Sequence, residues 1–542
     1  MDKQLKKLPT GTQTFEIVRE MDCVYVDKTK YLVNIIENGR IYFFARPRRF
    51  GKSLTLTTLE AMFRGKKELF KGLDAEAWMN RPDFVKYPVI RLSLNKVTTK
   101  QGLDLLNASL MKHIWDTASL LNVTVPESSS AGDLFDDLII NLYKKHSEKV
   151  VVLIDEYDKP YIDYFDEPEE AEKVRDILAN LYVRIKGNDE YLRFVLLTGI
   201  SKFARLGVFS KLNNLTDISM SNKYATLCGI TRDELLQNFS GHLELTAEEM
   251  QITKDELVEK MEDIYDGFSF NGKVRLYNPY STLRFFEDKS FENYWFDSGT
   301  STMIAKYLKN KNLTVEQFRN YPVALDFARN PGEMDSTPPE GFLYQGGFLT
   351  LREGITDDFA LDYPNKEVLH AMSRLVTQKY LEDRDESWTR CRSDLLRALF
   401  SIDCETFVSV LNRLLANIPY TDFDLAARQS ISDNAYKLTT QEWLYRSSIL
   451  AFFQGCGVIV FGELQSSKGR SDIVLSHKGN IWVIEIKVAF KDESPAAKAE
   501  EAVRQIFEKN YNKPYPNAIC VGLAIDDGAR QITEYRMVNG ER

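Results

Sequence analysis

Cysteine and histidine are scarce in this 542-residue chain, at six and five residues. None of Cys23, Cys228, Cys391, Cys404, Cys456 and Cys520 forms a C-x-x-C pair, and no Cys/His cluster has zinc spacing. That excludes a zinc finger or ribbon and reads instead as reduced, buried thiols in a cytoplasmic protein. No apolar run approaches the roughly 20 residues of a membrane span, so no membrane partner is expected. No apolar segment follows Met1-Asp-Lys-Gln-Leu-Lys-Lys7, so no secretory leader is expected. A net positive charge is lacking too. A formal net charge of −9 argues against a generally basic coat for gripping nucleic acid, though it leaves room for a local basic groove. Internal repeats and low-complexity segments are absent.

What remains is ordinary globular composition, 44% hydrophobic and 27% charged, with 32 Phe and 26 Tyr to bury. The length exceeds a single core and predicts two to four domains. Residues 1–230 alternate strand and helix. Short apolar runs at Arg40–Ala45, Pro88–Leu94, Lys149–Ile154 and Arg193–Thr198 suit strands of a parallel sheet covered on both faces. Helices are predicted from Ser53 to Arg64 and from Glu170 to Lys186, so the fold class is α/β with a doubly wound N-terminal sheet. Residues 231–439 read as mostly helical. Thr231-Arg-Asp-Glu234 has the pattern of a capping box, a helix is predicted from Asn365 to Leu381, and Gly341–Thr350 reads as a short strand. Residues 440–542 read as helix, strand, strand, turn, strand, helix, strand.

Arg46-Pro-Arg-Arg-Phe-Gly-Lys-Ser53 lies between a predicted strand and a predicted helix, as a phosphate-binding loop does. Gly51, Lys52 and Ser53 match the Walker A pattern, while Arg46 stands where its first glycine should be. Backbone N–H groups from Arg48, Arg49, Phe50 and Gly51 through Leu54 are placed to cradle phosphate oxygens at the helix N-terminus. Lys52 would reach the β- and γ-phosphates and Ser53 would hold Mg²⁺. Arg46, Arg48 and Arg49 would set three guanidinium groups beside the nucleotide or pair with acids across a subunit interface. The duller reading is a chance helix start after a basic turn.

A second segment weighs against chance. Val150-Val-Val-Leu-Ile-Asp155-Glu156 has the Walker B pattern, with Asp155 helping to hold Mg²⁺ and Glu156 polarising the attacking water. A third strand ends at Thr198, where a sensor hydroxyl would sit. Ligands bind outside the carboxyl ends of parallel strands, so three such ends point to ATP. Arg205 is a weak candidate for an arginine finger.

With these segments the chain resembles a bacterial family usually called AAA-ATPase-like proteins, which carry a C-terminal domain of the PD-(D/E)XK nuclease superfamily. The resemblance rests on Tyr25-Val-Asp-Lys-Thr29, the loop through Leu54, and Leu153-Ile-Asp-Glu-Tyr-Asp-Lys-Pro160. It continues through Thr198-Gly-Ile-Ser-Lys202, Asn213-Asn-Leu-Thr-Asp217, Tyr265-Asp-Gly-Phe268 and Asn278-Pro-Tyr-Ser281. The basic loop of that family also lacks the first Walker glycine. The resemblance implies an AAA-like P-loop domain over 1–230, a helical lid or linker over 231–439 and a nuclease-like domain over 440–542.

In that last segment Asp472 and Glu485-Ile-Lys487 fit the superfamily's acid and (D/E)-x-K pair across a hairpin. Side chains alternate faces along a strand, so Glu485 and Lys487 share one face and Ile484 and Ile486 the other. The two carboxylates would converge on Mg²⁺ or Mn²⁺, and Lys487 would orient the attacking water. Glu442 on the leading helix and Glu463 before the hairpin are further candidate ligands, and Gln505 a supporting polar residue. Lys468, Arg470, Lys478 and Arg504 are candidates for a local basic patch. Arg446 follows Tyr445 where family members often carry His. Glu-x-Lys on a solvated hairpin is common, and that is the duller reading here.

The leading expectation is an ATPase coupled to a metal-dependent nuclease acting on nucleic acid, with ATP and Mg²⁺ (or Mn²⁺) as cofactors. Similar ATPase cores often form rings, so a homo-oligomer is among the expected partners. The alternative is a nucleotide-switched signalling or scaffold ATPase whose C-terminal domain binds without cutting. Glu156 speaks against a third option, a nucleotide binder that scarcely hydrolyses ATP.

Overall fold

A computed structural model describes residues 5–539 apart from 100–101, 129, 165–166, 201–213, 296–303, 305–313, 325–337, 354–358, 379–384, 417, 419–439, 463–464, 467–468 and 516. The chain forms two compact units. One comprises Met1–Ile304 with Asn320–Val368, the other Ala305–Arg319 with Leu369–Arg542.

The first unit is built on strands β1 (Ile41–Ala45), β2 (Val89–Ser93), β3 (Val150–Asp155), β4 (Leu192–Gly199) and β5 (Thr216–Asp217). Their order is β2-β3-β4-β1-β5, and every neighbouring pair is parallel. β1 and β3 are buried along their whole length, as expected of strands covered on both faces. Helix α1 (Lys52–Phe63) lies between β1 and β2, helices α2 (Leu103–Leu120) and α3 (Ala131–His146) between β2 and β3, and α4 (Pro168–Gly187) between β3 and β4. All four long strands and both predicted helices fall within two residues of their expected bounds.

Beyond the sheet the unit turns helical. At α5 (Arg232–Asn238) the predicted capping box is present in both directions, with the Thr231 side chain accepting from the Glu234 N–H and the Glu234 carboxylate accepting from the Thr231 N–H. Such a cap is worth about 1 kcal/mol. Glu234 also pairs with the buried Lys28 ammonium at 2.6 Å, which ties the Tyr25–Thr29 segment to this helix. Helices α6 (Lys254–Tyr265) and α7 (Pro279–Asp288) follow. The strand expected at Gly341–Thr350 is largely a helix, α8 (Pro339–Gly346). Pro339 at its first turn and Gly347 in the left-handed region just past its end supply the start and stop that an apolar run alone conceals. Only Thr350 belongs to a strand, β7 (Thr350–Glu353), which pairs with β8 (Phe359–Asp362) in a small antiparallel sheet with β6 (Tyr321–Val323).

The second unit holds helices α9 (from Leu369 within Lys366–Gln378), α10 (Asp385–Ser401), α11 (Cys404–Leu415) and α12 (Thr440–Gly455). Its main sheet comprises β9 (Ile459–Gly462), β12 (Ile473–His477), β13 (Asn480–Ala489), β14 (Ile519–Asp526) and β15 (Gln531–Asn539), in the order β15-β14-β13-β12-β9. β13 and β14 are parallel and the other pairs antiparallel. A short hairpin of β10 (Gln465–Ser466) and β11 (Gly469–Arg470) precedes β12, and α13 (Pro495–Glu508) lies between β13 and β14. The turn from β12 to β13 is a two-residue loop with Lys478 and Gly479 both at positive φ, the geometry that matches strand twist. One core joins Trp388, Leu395, Phe407 and Leu411 of α10 and α11 to Trp482 and Ile484 of β13.

Candidate functional site

The first site forms at the carboxyl ends of β1, β3 and β4, adjacent strands whose order brings residues about 100 and 145 positions apart to one edge. Asp155, at the end of β3 and 3% exposed, is the hub. Its Oδ2 accepts from the Ser53 hydroxyl at 2.5 Å and its Oδ1 from the Thr198 hydroxyl at 2.8 Å. Lys52 is buried, and its ammonium donates to the carbonyls of Arg46 and Pro47 at 2.8 and 2.9 Å, so the loop curls round its own lysine. Burial lowers the lysine pKa, against the pull of Asp155 and Glu156. Gly51 enters α1 at φ 94, and a Cβ built there meets nothing within 4 Å, so the loop faces open space. A left-handed residue before the helix and a clear mouth fit a bound phosphate.

The three loop arginines separate. Arg46 is 1% exposed and turned inward. Its guanidinium donates to the carbonyls of Ala45 and Ser219 at 2.9 and 2.6 Å and lies between the rings of Phe44 and Phe270, 4.4 and 4.0 Å from their centres. Burial pushes its pKa down to about 10. Arg46 is therefore removed from the guanidinium groups expected beside the nucleotide. β1 is enclosed on both faces, and the first side chain past it enters a core that needs a donor for buried carbonyls. Arg48 is half-buried. Arg49 is exposed, at φ 68, with its guanidinium 4.6 Å from the centre of the Tyr280 ring. Phe50 wedges its ring against Phe268 and Phe270, so only its backbone is available to a ligand, and Leu54 is half-buried on α1.

Glu156 follows Asp155 at φ 53, a costly left-handed conformation for a side chain that is not glycine. Burial, then the Asp155 charge, raises its carboxyl pKa. Next to it lies a buried acid that pattern reading passed over. Asp158 accepts the Ile200 N–H at 3.1 Å and so fixes the exit of β4. A Cβ on Gly199 would fall 2.5 Å from the Tyr157 ring, which explains glycine there. The only hint in the sequence was the third acid in Asp155-Glu-Tyr-Asp158. Arg205 lies outside the described residues.

The second site sits on β13 and the residue before β12. Asp472 and Glu485 are both buried, at 7% and 2% exposure. Asp472 Oδ2 accepts the Ile486 N–H at 2.8 Å, and Glu485 Oε2 accepts the Asp472 N–H at 3.3 Å. The Gln505 amide on α13 donates to Glu485 Oε1, as expected of a supporting residue. Lys487 shares the face of Glu485, with Nζ 3.7 Å from Glu485 Oε1 and 4.0 Å from Glu442 Oε1. Ile484 and Ile486 point into the core. Arg446 on α12 approaches Asp472 Oδ1 at 3.6 Å. Burial first raises the carboxyl pKa of Glu485, Asp472 and Glu442 alike, and the neighbouring Asp472 charge raises Glu485 further.

Oxygen donors of this kind fit a hard divalent cation whose remaining positions are filled by water. Asp472 and Glu485 are brought together, with Glu442 reached through Lys487. Among the described residues no group of three or more His, Cys, Asp or Glu side chains is gathered as a complete metal cage. Glu463 and Lys468 lie outside the described residues, as does the side chain of Arg470. The other basic candidates are dispersed. Lys478 lies over the Phe400 ring, and Arg504 pairs with Glu508 at 3.7 Å.

Residues 9–209 match a family described as Predicted AAA-ATPase, and residues 440–535 match the PD-(D/E)XK nuclease superfamily. An uncharacterized protein from the vnfD 5′ region of Azotobacter chroococcum mcd 1 is 32% identical over 518 residues, 94% of each chain. Among solved structures, the Aeropyrum pernix ORC2 protein, in ADPNP–ADP complexes, aligns over 70% of this chain and 98% of its own, at 12% identity and a TM-score of 0.27. Cdc6p from Pyrobaculum aerophilum aligns over 65% and 92%, at 10% identity and a TM-score of 0.23. At such scores the likeness carries no argument.

Proposed function

Because the chain belongs to a family that joins an AAA-ATPase-like domain to a PD-(D/E)XK nuclease superfamily domain, we propose that it binds and hydrolyses ATP in the first and cuts nucleic acid with a divalent metal in the second. In the ATP site, Lys52 exchanges its two carbonyl partners for phosphate oxygens, and the N–H groups from Arg48 to Leu54 line the loop. Ser53 and Asp155 are the candidate holders of Mg²⁺, and Thr198 keeps the Asp155 carboxylate oriented. Glu156 positions the attacking water.

In the second domain Asp472 and Glu485, with Glu442 or Glu463 beyond them, are the candidate ligands of Mg²⁺ or Mn²⁺. Lys487 orients the water, and Gln505 holds Glu485. A bound divalent ion supplies charge to stabilise the attacked phosphodiester and lowers the pKa of a coordinated water. The observation that carries the reading is the buried pair of Asp472 and Glu485. Burying two carboxylates side by side costs several kcal/mol per ion, and a scaffold hairpin has no need of it. The six cysteines are buried and unpaired, which suits the reducing cytoplasm, and among the described residues no helix is long and apolar enough to cross a membrane.

The test is a cleavage assay on single- and double-stranded DNA and RNA with Mg²⁺ or Mn²⁺, with and without ATP, comparing wild type with Glu485→Ala. Cutting that the substitution removes supports the nuclease, and ATP dependence of that cutting supports coupling. The alternative, an ATP-switched protein that binds without cutting, draws on the Arg446 ion pair at Asp472. Absence of cutting under every condition would select it.

A further inference from the structure

We propose that Arg446 occupies the divalent ion's place at Asp472 in the unloaded site, that metal binding displaces it, and that the freed guanidinium then receives the phosphodiester. The inference rests on the metal-dependent reading above. Arg446 lies 3.6 Å from Asp472 Oδ1, with the two side chains only 12% and 10% exposed. Asp472 Oδ2 is already taken by the Ile486 N–H. Oδ1 is therefore the oxygen left for a metal, and it is the one Arg446 faces. A divalent ion must come within about 2.0–2.2 Å of a carboxylate oxygen, and a guanidinium held at the same oxygen opposes it.

The rest of the cluster follows the same plan. Glu442 and Arg446 stand one turn apart on α12 and so share a face. Lys487 lies between Glu442 and Glu485. Among the described residues, three acids thus meet two cations of the chain's own, which leaves a small negative excess to attract a metal. Once displaced, an arginine is well suited to the new task. Its planar fork matches phosphate oxygens, and being permanently charged it needs no proton transfer to act.

The experiment measures Mn²⁺ binding to the full-length protein without nucleotide, by electron paramagnetic resonance of free Mn²⁺, for wild type, Arg446→Met and Arg446→Gln. The C-terminal site is the one lost in Asp472→Asn. Affinity there is expected to rise about tenfold or more in both Arg446 variants, since an unscreened neighbouring charge is removed. In wild type, phenylglyoxal labelling of Arg446, read by peptide mass spectrometry, is expected to increase when Mn²⁺ is added. This second readout needs no variant to fold. Unchanged or weaker Mn²⁺ binding in the variants, or labelling that Mn²⁺ leaves constant, overturns the inference while wild-type cutting leaves the nuclease standing. No Mn²⁺ binding at Asp472 in any protein overturns both.

Discussion

The two sites handle charge in opposite ways. At the N-terminal loop the candidate phosphate-binding cation, Lys52, rests on neutral partners, the carbonyls of Arg46 and Pro47, and Asp155 rests on two hydroxyls, those of Ser53 and Thr198. At the C-terminal hairpin the acids Asp472, Glu485 and Glu442 face cations of their own chain, Arg446 and Lys487. Neutral partners are comparatively cheap to exchange, because a carbonyl or hydroxyl gives up a charge-assisted bond worth about 1.5–3 kcal/mol net. Charged partners in a buried setting are not. The loop is thus poised to accept an anion at once, whereas the hairpin is internally compensated and asks more of an incoming cation.

The largest expected effect tests the hairpin. Glu485→Ala removes a candidate ligand and leaves Asp472 facing Arg446 without its neighbouring acid. Cleavage is expected to fall by about a thousandfold or more, the scale of losing a metal's charge stabilisation. ATP hydrolysis should stay near wild type. An equal fall in both activities would break the comparison, because the sites would then not be separate modules. Next comes Lys52→Ala, for which we expect nucleotide affinity, followed by fluorescent ATP titration, to drop about a hundredfold through loss of charge-assisted phosphate contacts. Retained affinity would mean that the loop does not use its lysine.

Arg46→Met separates support from ligand contact within the loop. Three buried carbonyl regions lose their donor, at Ala45, Ser219 and Tyr224–Ala225. The expected cost is on the order of 3 kcal/mol of unfolding free energy, read from the urea midpoint and slope of the first unit. Nucleotide affinity of the folded protein should change far less than in Lys52→Ala. A hundredfold loss of affinity with normal stability would put Arg46 back at the phosphates.

That distinction shows where sequence stops being legible. The strand runs, the helix expected from Ser53 and found from Lys52, and the hairpin between β12 and β13 could be read because each is a local pattern of burial or turn geometry. Ser53, Asp155 and Thr198 could be paired in advance because parallel strands present their carboxyl ends on one edge. Arg46 was misplaced because its direction depends on carbonyls some 170 residues away. The apolar run before Thr350 concealed a helix, since its flanking Pro339 and Gly347 are boundary signals that the run itself does not contain. The Asp472–Arg446 pair is likewise tertiary, formed between a helix and a strand edge.

Asp266 offers the smallest and cleanest control, a buried carboxylate with no part in either site. It belongs to the Tyr265-Asp-Gly-Phe268 motif, Oδ2 pairs with Arg275 at 3.1 Å, and Oδ1 is buried without a partner. Burial raises its pKa above the ordinary aspartate value, partly offset by the Gly267 N–H and Arg275. A raised folded value means the native state holds a proton that the unfolded chain releases. The resulting stability is fully present below the ordinary aspartate value and is lost as pH rises through the folded one. Asp266→Asn keeps the shape and removes the titration. Urea midpoints taken from just below the usual aspartate range up to neutrality should therefore decline less in the variant than in wild type. A decline of the same size in both would assign the slope to other acids of the first unit, and a steeper one in the variant would mean that the Arg275 pair outweighs burial.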